Sequence, residues 1–323
     1  MKAVLCKELG PPSKLVVEDI TLPTPGPKEV KVEVKACSVN YPDTLIIQGL
    51  YQFKPELPFS PGGDFAGIVK EVGAEVKHLK AGDEVFGAGS FGGFAEEANV
   101  NAAMVFPKPP SMDFKIAASF LMAYGTSHHA LKDRAKLKEG ETLCILGASG
   151  GVGMAAIELG KLTGARVIAC ASTDEKLTLC KKLGADETIN YTTENLKARI
   201  KELTGGKGAD VVYDPVGGDY TEAALRATAW EGRFLIVGFP GGIAKIPMNL
   251  PLLKGCDIVG VFWGRFAQMN SGENIKNTMQ LIQWHGEGKL KPHIDREYSL
   301  EEAPKALEDM INRKVKGKVV VVP

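Results

Sequence analysis

Short runs in which apolar and polar residues alternate, separated by glycines and prolines, dominate the chain up to about residue 120. This pattern is typical of half-buried strands that are joined by turns. It predicts strands over residues 15–19, 30–36, 65–72, 84–88 and 95–100. Short strands at this spacing predict a compact, barrel-like β domain.

The pattern changes at about residue 116, after which apolar runs alternate with segments of helical period. The predicted strands are residues 141–148, 165–172, 187–190, 209–216, 233–238 and 257–262, and the predicted helices are 151–163, 174–183, 195–203 and 220–230. Alternating strands and helices imply a parallel sheet with helices on both faces. A helix at 300–312 and a strand at 318–322 follow, and this strand is expected to return to the first domain. We therefore expect one domain at 1–122, completed by about 297–323, and a second at 123–296.

Composition narrows the class of protein. The chain has 323 residues, which is enough for two domains, and 39 basic residues balance 39 acidic ones. Nucleic-acid-binding proteins usually carry a basic excess, so no nucleic-acid partner is expected. No apolar run approaches the roughly 18 residues of a membrane span, so no membrane association is expected. The six cysteines form no CxxC motif, and we interpret them as reduced thiols of a cytoplasmic protein.

Three glycines, Gly147, Gly150 and Gly153, lie between a predicted strand and a predicted helix. In a dinucleotide-binding turn, one glycine permits the tight turn, a second lets the main chain approach a pyrophosphate, and a third allows close helix packing. The N–H groups and the dipole at the start of a helix also favour an anion. The residues expected to bind the pyrophosphate are Ser149, Gly150, Gly151 and Val152.

Two other interpretations of this loop stay open. It is either a close-packed turn without a ligand, or the GxSxG nucleophile elbow of an α/β-hydrolase, with Ser149 as nucleophile. The hydrolase requires an acid and then a histidine downstream. Only His285 and His293 follow, in what reads as a polar tail, and a β domain at the N-terminus fits that fold poorly. The dinucleotide interpretation is therefore favoured.

The residues after the second predicted strand favour NADPH over NADH. NAD sites place Asp or Glu about 20 residues beyond the glycines, where it binds the ribose 2′-hydroxyl. Ser172 and Thr173 stand there in this chain, and hydroxyl groups donate to a 2′-phosphate. Lys176 supplies a positive charge nearby, and Tyr191 follows the next strand. The alternative is that Ser172 and Thr173 only cap the next helix.

Motifs across nearly the whole chain are similar to those of one enzyme family. They are VNYPD (39–43), PGGDFAG (61–67), YGT (124–126), GASGGVG (147–153), GAD (184–186), YDPVGG (213–218), GF (238–239) and VFWG (261–264). With these motifs the chain resembles the zinc-free quinone oxidoreductase (zeta-crystallin-like) family of the medium-chain dehydrogenase/reductase superfamily. The resemblance implies an α/β fold with a GroES-like β-barrel domain and a Rossmann dinucleotide-binding domain built on a doubly wound parallel sheet.

The resemblance also implies a cofactor site and an assembly. NADPH is expected in the cleft between the domains, and a homodimer is expected to pair through the strand at about residues 255–262. The further cofactor contacts that the resemblance implies are Asn40, Thr126, Gly238, Phe239, Phe262, Trp263, Gly264 and Lys318. A helix cap at Thr126 and ordinary core positions for Phe262 and Trp263 are the alternatives.

The same resemblance indicates that catalytic zinc is absent. By resemblance, Asn40 stands where zinc-dependent alcohol dehydrogenases have their first cysteine ligand, and Gly63 and Asp64 replace the His and Glu of a GHE motif. Met122 lies near the position of the third ligand, and a catalytic zinc site needs three N, S or O ligands from the protein. Without a Lewis acid we expect a reductase of electron-poor acceptors rather than an alcohol dehydrogenase.

Two residues are the candidates for catalysis. Tyr51 belongs to a QGxY stretch that also resembles the 2-enoyl thioester reductases, and a phenol is a good donor to a developing oxyanion. Asn40 can orient a carbonyl oxygen without titrating. The alternatives are a packing role for Tyr51 and a turn-forming role for Asn40 before Pro42.

We therefore expect a zinc-independent, NADPH-dependent oxidoreductase that transfers a hydride to a quinone or a similar electron-poor conjugated acceptor. The first alternative is a C=C reductase acting on an enone or an enoyl thioester, for which Lys54, Lys132 and Arg265 are candidate contacts of a large acyl carrier. The second alternative is a non-catalytic, crystallin-like protein that only binds NADPH.

Overall fold

A computed structural model describes residues 1–89 and 91–323 of the chain. The chain divides into two compact units, each described below by itself. The first unit comprises Met1–Met122 and Pro292–Pro323, and the second comprises Ala123–Lys291.

The strands are, in chain order, β1 (Lys2–Leu5), β2 (Val16–Asp19), β3 (Glu29–Ser38), β4 (Asp64–Val72), β5 (Glu84–Ala88), β6 (Glu97–Asn101), β7 (Val105–Pro107), β8 (Thr142–Ile145), β9 (Arg166–Ala171), β10 (Glu187–Asn190), β11 (Ala209–Asp214), β12 (Thr228–Ile236), β13 (Asp257–Gly260), β14 (Ile294–Ser299) and β15 (Lys318–Val322).

The α-helices are α1 (Tyr41–Ile46), α2 (Phe114–Ala118), α3 (Thr126–His128), α4 (Gly151–Leu162), α5 (Asp174–Lys182), α6 (Leu196–Leu203), α7 (Asp219–Arg226), α8 (Asn249–Lys254), α9 (Trp263–Met269), α10 (Ser271–Gly286) and α11 (Ala303–Ile311). Short 3-10 helices lie at Pro12–Lys14, Ala102–Met104 and Leu300–Glu302, and π-helical turns flank α3 at Leu121–Gly125 and His129–Arg134.

The first unit is built on a mostly antiparallel sheet with the order β14-β15-β3-β4-β5-β7, in which β6 also pairs with β3. The long central strand β3 holds the sheet together because it pairs with β4, β6 and β15. Its inward side chains pack in a core with those of β4 and β15, as shown by the buried Val32, Phe65 and Val321. The predicted return of the last strand to this domain is confirmed, since β15 pairs with β3 and β14.

The second unit contains a parallel sheet with the order β10-β9-β8-β11-β12-β13. The chain starts in the middle at β8, runs outward to β10, and then crosses back to β11, which is the doubly wound order of a Rossmann domain. Buried residues of successive strands, such as Cys144, Ile168, Val212 and Phe234, form its core. The predicted fold class is therefore confirmed: a GroES-like β unit and a Rossmann unit.

Two local predictions were wrong. The helix predicted over 220–230 ends at Arg226, because Thr228 pairs with Ala209 at the start of β12 and the chain is already extended at Trp230. The segment around His285, interpreted as a polar tail, is instead the end of α10, the sixteen-residue helix Ser271–Gly286. Its apolar positions are sparse, so the sequence shows no clear helical period there. Among the residues that the structure describes, no helix is long and apolar enough to cross a membrane.

Candidate functional site

The loop between β8 and α4 holds the three glycines in distinct environments. Gly147 has a φ of 55°, in the left-handed region that favours glycine, and a Cβ there would meet Val216 Cγ2 at 2.7 Å. A Cβ at Gly153 would lie 2.5 Å from the carbonyl oxygen of Gly147. The first glycine therefore makes the turn, and the third allows the helix to pack closely on the loop.

Gly150 differs from these two because the space beside it is open. It is the N-cap of α4 in extended conformation, no side chain caps the helix, and an added Cβ would meet only the Gly147 oxygen, at 3.4 Å. Ser149 is buried, whereas Gly151 and Val152 are half-buried in the first turn. This helix start therefore offers main-chain N–H groups and a positive dipole end to an anion, and a pyrophosphate fits it.

The end of β9 carries the residues that were expected to select NADPH. Thr173 is the N-cap of α5, where its hydroxyl accepts a hydrogen bond from the Lys176 amide at 3.3 Å. Within the described residues, the Ser172 hydroxyl makes no hydrogen bond. Asp174 is held by the Asn190 side chain, which donates to its carboxylate at 2.8 Å. The Asp174 carboxylate, the first acidic group after this strand, is therefore hydrogen-bonded to Asn190. The Ser172 hydroxyl remains available to donate to a ligand.

Neighbouring strand ends bring further predicted residues to the same edge of the sheet. Tyr191 follows β10 and packs against Tyr220, with ring centroids 4.2 Å apart. Gly238 and Phe239 follow β12, and the Phe239 ring lies 3.2 Å from the position of a Cβ on Gly217. Ligands of doubly wound sheets bind at the carboxyl ends of the strands, where all these residues stand.

The structure separates the aromatic pair after β13. Trp263 is buried, with its indole nitrogen donating to Asn274 Oδ1 at 3.0 Å, and its ring would meet a Cβ on Gly125 at 2.7 Å. Phe262 is half exposed, and Gly264 lies in the first turn of α9. Thr126, next to Gly125, continues a helical run that begins before it, so it does not start an isolated helix. Trp263 thus has a packing role that fixes this corner of the unit.

A cluster of buried charges occupies the first unit where β3, α1, β4 and β15 meet. The Lys318 ammonium donates to Asn40 Oδ1 and to the Val39 carbonyl oxygen, and it lies 3.9 Å from Asp64 Oδ2. The Asn40 amide donates to the Ser38 carbonyl and hydroxyl oxygens, both at 3.3 Å. The side chains of Lys318 and Asp64 are 8% and 1% exposed. Asn40 and Lys318, both predicted site residues, are therefore in direct contact.

The titration of the cluster follows from its burial. Burial raises the pKa of Asp64 to about 7 and the pKa of Asp43 to about 6, although nearby Lys318 opposes both shifts. Burial lowers the pKa of the Lys318 ammonium, while Asp64 and Asp43 raise it. Asp64 Oδ1 has no hydrogen-bond partner among the described residues, although the Met122 amide lies close enough to lower the Asp64 pKa. Burial therefore disfavours the charged form of all three groups, and the attraction between Lys318 and the two carboxylates opposes that effect.

Tyr51 lies after α1, half-buried against the core of the first unit. Burial is the main cause that raises the pKa of its phenol, and the charge of Asp43 adds to it, so the phenol keeps its proton at neutral pH. Two residues further, Phe53 stacks on Phe91 with centroids 5.7 Å apart and an angle of 22° between the rings. Phe53 and Phe91 are 45% and 38% exposed, so they form a flat apolar surface, and Phe53 lies two residues along the chain from Tyr51.

Sequence reasoning missed several buried polar contacts. By sequence, Asp64 is identified only as the residue that replaces the Glu of a GHE motif. Its pairing with Lys318 joins residues 254 positions apart, which periodicity does not reveal. In the second unit, the Tyr124 hydroxyl donates to the buried Glu158 carboxylate at 2.6 Å. The one sequence signal for these residues is a single charged side chain beside an otherwise apolar run, as at Lys318 before four valines.

Comparisons with known proteins agree with the folds of the two units. A family model described as "Alcohol dehydrogenase GroES-like domain" matches residues 26–110, and one described as "Zinc-binding dehydrogenase" matches residues 151–284. The chain is 40% identical over 322 residues to the Bos taurus protein named "Quinone oxidoreductase-like protein 2", covering 99% of this chain and 92% of the relative. The chain belongs to the quinone oxidoreductase family. This family is part of the medium-chain dehydrogenase/reductase superfamily, and its members are oxidoreductases.

Solved structures of this superfamily have the same fold. The Escherichia coli quinone oxidoreductase complexed with NADPH superposes with a TM-score of 0.93 at 30% identity, and the match covers all of both chains. The CurK enoyl reductase superposes with a TM-score of 0.90 at 27% identity, covering 99% of this chain and 98% of that one. The two neighbours correspond to the two enzyme activities that the sequence left open.

The zinc in one family description has no fitting ligand set in this chain. Catalytic zinc requires three N, S or O ligands from the protein. By resemblance, Asn40 and Gly63 stand at the positions of the first two ligands and Met122 lies near that of the third, and the Asn40 oxygen already accepts a hydrogen bond from the Lys318 ammonium. Over residues 1–89 and 91–323, no group of three or more His, Cys, Asp or Glu is arranged to hold a metal ion.

Proposed function

We propose that this quinone oxidoreductase relative is a zinc-independent enzyme that uses NADPH to reduce a quinone or a similar electron-poor conjugated acceptor. The observation that carries the proposal is the uncapped, glycine-lined start of α4, followed by hydroxyl groups where an acidic residue would select NADH. The NADPH complex of the Escherichia coli relative supports the choice of cofactor.

When bound, NADPH supplies the hydride. The residues of this chain bind the cofactor, orient the acceptor and stabilise the oxygen that becomes negative. Gly151 and Val152 are proposed to offer N–H groups to the pyrophosphate. The N–H of Gly150 donates to the Gly147 oxygen at 3.0 Å, so Gly150 is proposed to contribute the open space through which the pyrophosphate approaches. Ser172 and Lys176 are the proposed partners of the 2′-phosphate. Gly238, Phe239, Phe262 and Gly264 are proposed to line the rest of the cofactor site.

The acceptor is proposed to lie against the aromatic surface of Phe53 and Phe91. A planar conjugated ring stacks on such a surface, and pairs of this kind contribute about 0.5–1.5 kcal/mol each beyond the area they bury. Tyr51 keeps its proton because burial raises its pKa, so its hydroxyl can donate to the oxygen that becomes negative as hydride arrives. The reaction needs one hydride and one proton for each quinone, and it needs no metal.

The enoyl thioester or enone reductase remains the second candidate because the CurK enoyl reductase has the same fold. The structure gives one observation against a large acyl carrier at Lys132. Its ammonium already donates to Asn277 Oδ1 at 2.5 Å and lies 3.5 Å from Glu273. Lys54 and Arg265 remain as basic candidates for such a carrier.

A homodimer is part of the proposal. β13 is the last strand in the order of the parallel sheet, and exposed apolar side chains lie near it: Trp230, Leu252 and Leu253 are 70%, 78% and 63% exposed. An apolar sheet edge is a template for pairing with a second copy. Replacing Trp230 by Glu is expected to give a monomer by light scattering, and an unchanged mass would contradict this interface.

The experiment that tests the function measures NADPH oxidation by the purified protein in the presence of EDTA. The acceptors are 1,4-benzoquinone, 9,10-phenanthrenequinone, a simple enone and crotonyl-CoA, each with NADPH and with NADH. We expect turnover of the quinones with a preference for NADPH. Turnover of crotonyl-CoA or the enone alone would favour the second candidate, and tight NADPH binding without turnover of any acceptor would favour a non-catalytic protein.

A further inference from the structure

Lys318 is a lysine in an environment that lysines rarely occupy. It begins β15, and only 6% of its surface is exposed. Removing an ammonium from water costs several kcal/mol unless partners compensate for the lost hydration. A fold that retains such a group in its interior, beside a candidate catalytic residue, points to a role beyond packing.

The partners of Lys318 all belong to the interior of the first unit. An ammonium has three donors, and here Asn40 Oδ1, the Val39 carbonyl oxygen at 3.4 Å and Asp64 Oδ2 at 3.9 Å surround it. Each donor thus has an acceptor nearby within the unit. This geometry differs from that of a lysine that reaches outward to a phosphate.

The main consequence of these contacts falls on Asn40. Its side-chain oxygen is fixed by Lys318, its amide nitrogen by Ser38, and its main-chain N–H donates to Asp43 Oδ2 at 2.7 Å. Asp43 also accepts from the Gly62 amide at 3.2 Å, which ties the start of α1 to the loop before β4. The orientation of Asn40 and the position of α1 therefore depend on one buried network.

We propose that Lys318 is a positioning residue of the reductase, which acts through Asn40 and is neutralised by Asp64, rather than a residue that binds the cofactor phosphates. The inference rests on the proposed function, because its effect is measured on quinone reduction. The Lys318 ammonium fixes the orientation of the Asn40 side-chain amide. Asn40 in turn fixes the position of the start of α1, the helix that precedes Tyr51.

Asp64 has the role of counter-ion in this arrangement. One of its oxygens accepts from the Ser38 hydroxyl at 3.0 Å and faces Lys318, whereas the other has no partner among the described residues. Removing Lys318 alone would leave a buried carboxylate without its cation, which is strongly destabilising. Removing both charges at once avoids this cost. A double variant therefore shows the effect of losing Lys318 on the position of Asn40 without the loss of stability that an unpaired buried charge would cause.

The test uses Lys318→Met/Asp64→Asn, Asn40→Ala and the combination of all three substitutions. The control is Lys314→Met, which removes an exposed lysine that lies 3.5 Å from Asp309. Four quantities are measured for each protein: the midpoint of urea unfolding, the Kd of NADPH by calorimetry, and kcat and KM for the best quinone.

We expect Lys318→Met/Asp64→Asn to unfold near the wild-type midpoint and to bind NADPH within about twofold of wild type, while kcat falls by about 10- to 100-fold through misplacement of Asn40. In the Asn40→Ala background the same pair should cause no further loss of kcat, because Lys318 acts through Asn40. The control should match wild type in all four quantities.

Three results would overturn the inference: a weaker NADPH Kd that accounts for the lost activity, an equal loss of kcat in the Asn40→Ala background, or an unchanged kcat. The first would return Lys318 to the cofactor site. A wild-type protein that turns over no quinone would instead refute the proposed function, so the two failures are distinguishable.

Discussion

Alanine substitutions at Gly153 and Gly150 should separate the two tasks of the glycine loop. A Cβ at Gly153 would lie 2.5 Å from the Gly147 oxygen, 2.7 Å from Ala148 Cα and 2.8 Å from the Ala148 carbonyl carbon. All three are main-chain atoms, so α4 or the loop must move. A Cβ at Gly150 would meet a single atom, at 3.4 Å.

The magnitudes follow from these contacts. Overpacking costs about 1–3 kcal/mol, and contacts with main-chain atoms place Gly153→Ala at the upper end. Alanine recovers about 1 kcal/mol of helix propensity, so the net loss is about 2 kcal/mol. For a unit of this size, each kcal/mol lowers the melting temperature by about 2–4 °C, which gives a drop of about 4–8 °C. Gly150→Ala should leave stability within about 0.5 kcal/mol of wild type.

Gly150→Ala, which should hardly change stability, should weaken the binding of NADPH. Gly150→Ala places a methyl group where the pyrophosphate is proposed to approach, so we expect a Kd for NADPH about tenfold weaker, or about 1.4 kcal/mol, without a change in melting temperature. Scanning calorimetry and titration calorimetry measure the two quantities.

The matched control is Gly272→Ala in the first turn of α10, where an added Cβ meets no atom within 4 Å. It should be neutral or slightly stabilising, with an unchanged NADPH Kd. A Gly153→Ala protein as stable as wild type would refute the packing argument, and wild-type NADPH affinity in Gly150→Ala would refute the pyrophosphate site.

Three further predictions concern the cofactor, the buried charges and the acceptor. Ser172→Asp should weaken NADPH binding more than NADH binding, because a carboxylate repels a 2′-phosphate; equal losses for both cofactors in titrations would contradict it. The pKa of Asp64 is raised to about 7 in the folded state, so its contribution to stability is complete below about pH 4 and is lost as pH rises through 7. Asp64→Asn should therefore flatten the decline of unfolding free energy between pH 4 and 7 in urea titrations, and an unchanged slope would count against a raised pKa. Phe53→Ala should lower kcat/KM for 9,10-phenanthrenequinone by about two- to tenfold, with a smaller effect on 1,4-benzoquinone, and equal effects would argue against stacking.

The parts of the fold that local patterns control could be predicted from the sequence. The strand at 187–190 and the start of α4 were placed correctly because apolar runs and glycine spacing determine them directly. The end of the helix after Asp219 was placed too late, since Trp230 suits either element and only the pairing of β12 with β11 makes it extended.

The charged cluster shows why the candidate site could be predicted only in part. The sequence indicated Asn40 and Lys318 separately, but their hydrogen bond joins residues 278 positions apart in the chain. That contact depends on the pairing of β15 with β3, which brings the last strand beside the end of β3. No local pattern encodes this pairing, nor the burial that raises the pKa of Asp64.

The most direct test of the central claim is an anaerobic single-turnover experiment with the wild-type protein, NADPH and 9,10-phenanthrenequinone in EDTA. The proposed function predicts that one quinone disappears for each NADPH oxidised, that deuterium at C4 of the nicotinamide slows the step, and that EDTA has no effect. NADPH that binds but is not oxidised, or activity that EDTA abolishes, would contradict the claim of zinc-independent hydride transfer to a quinone.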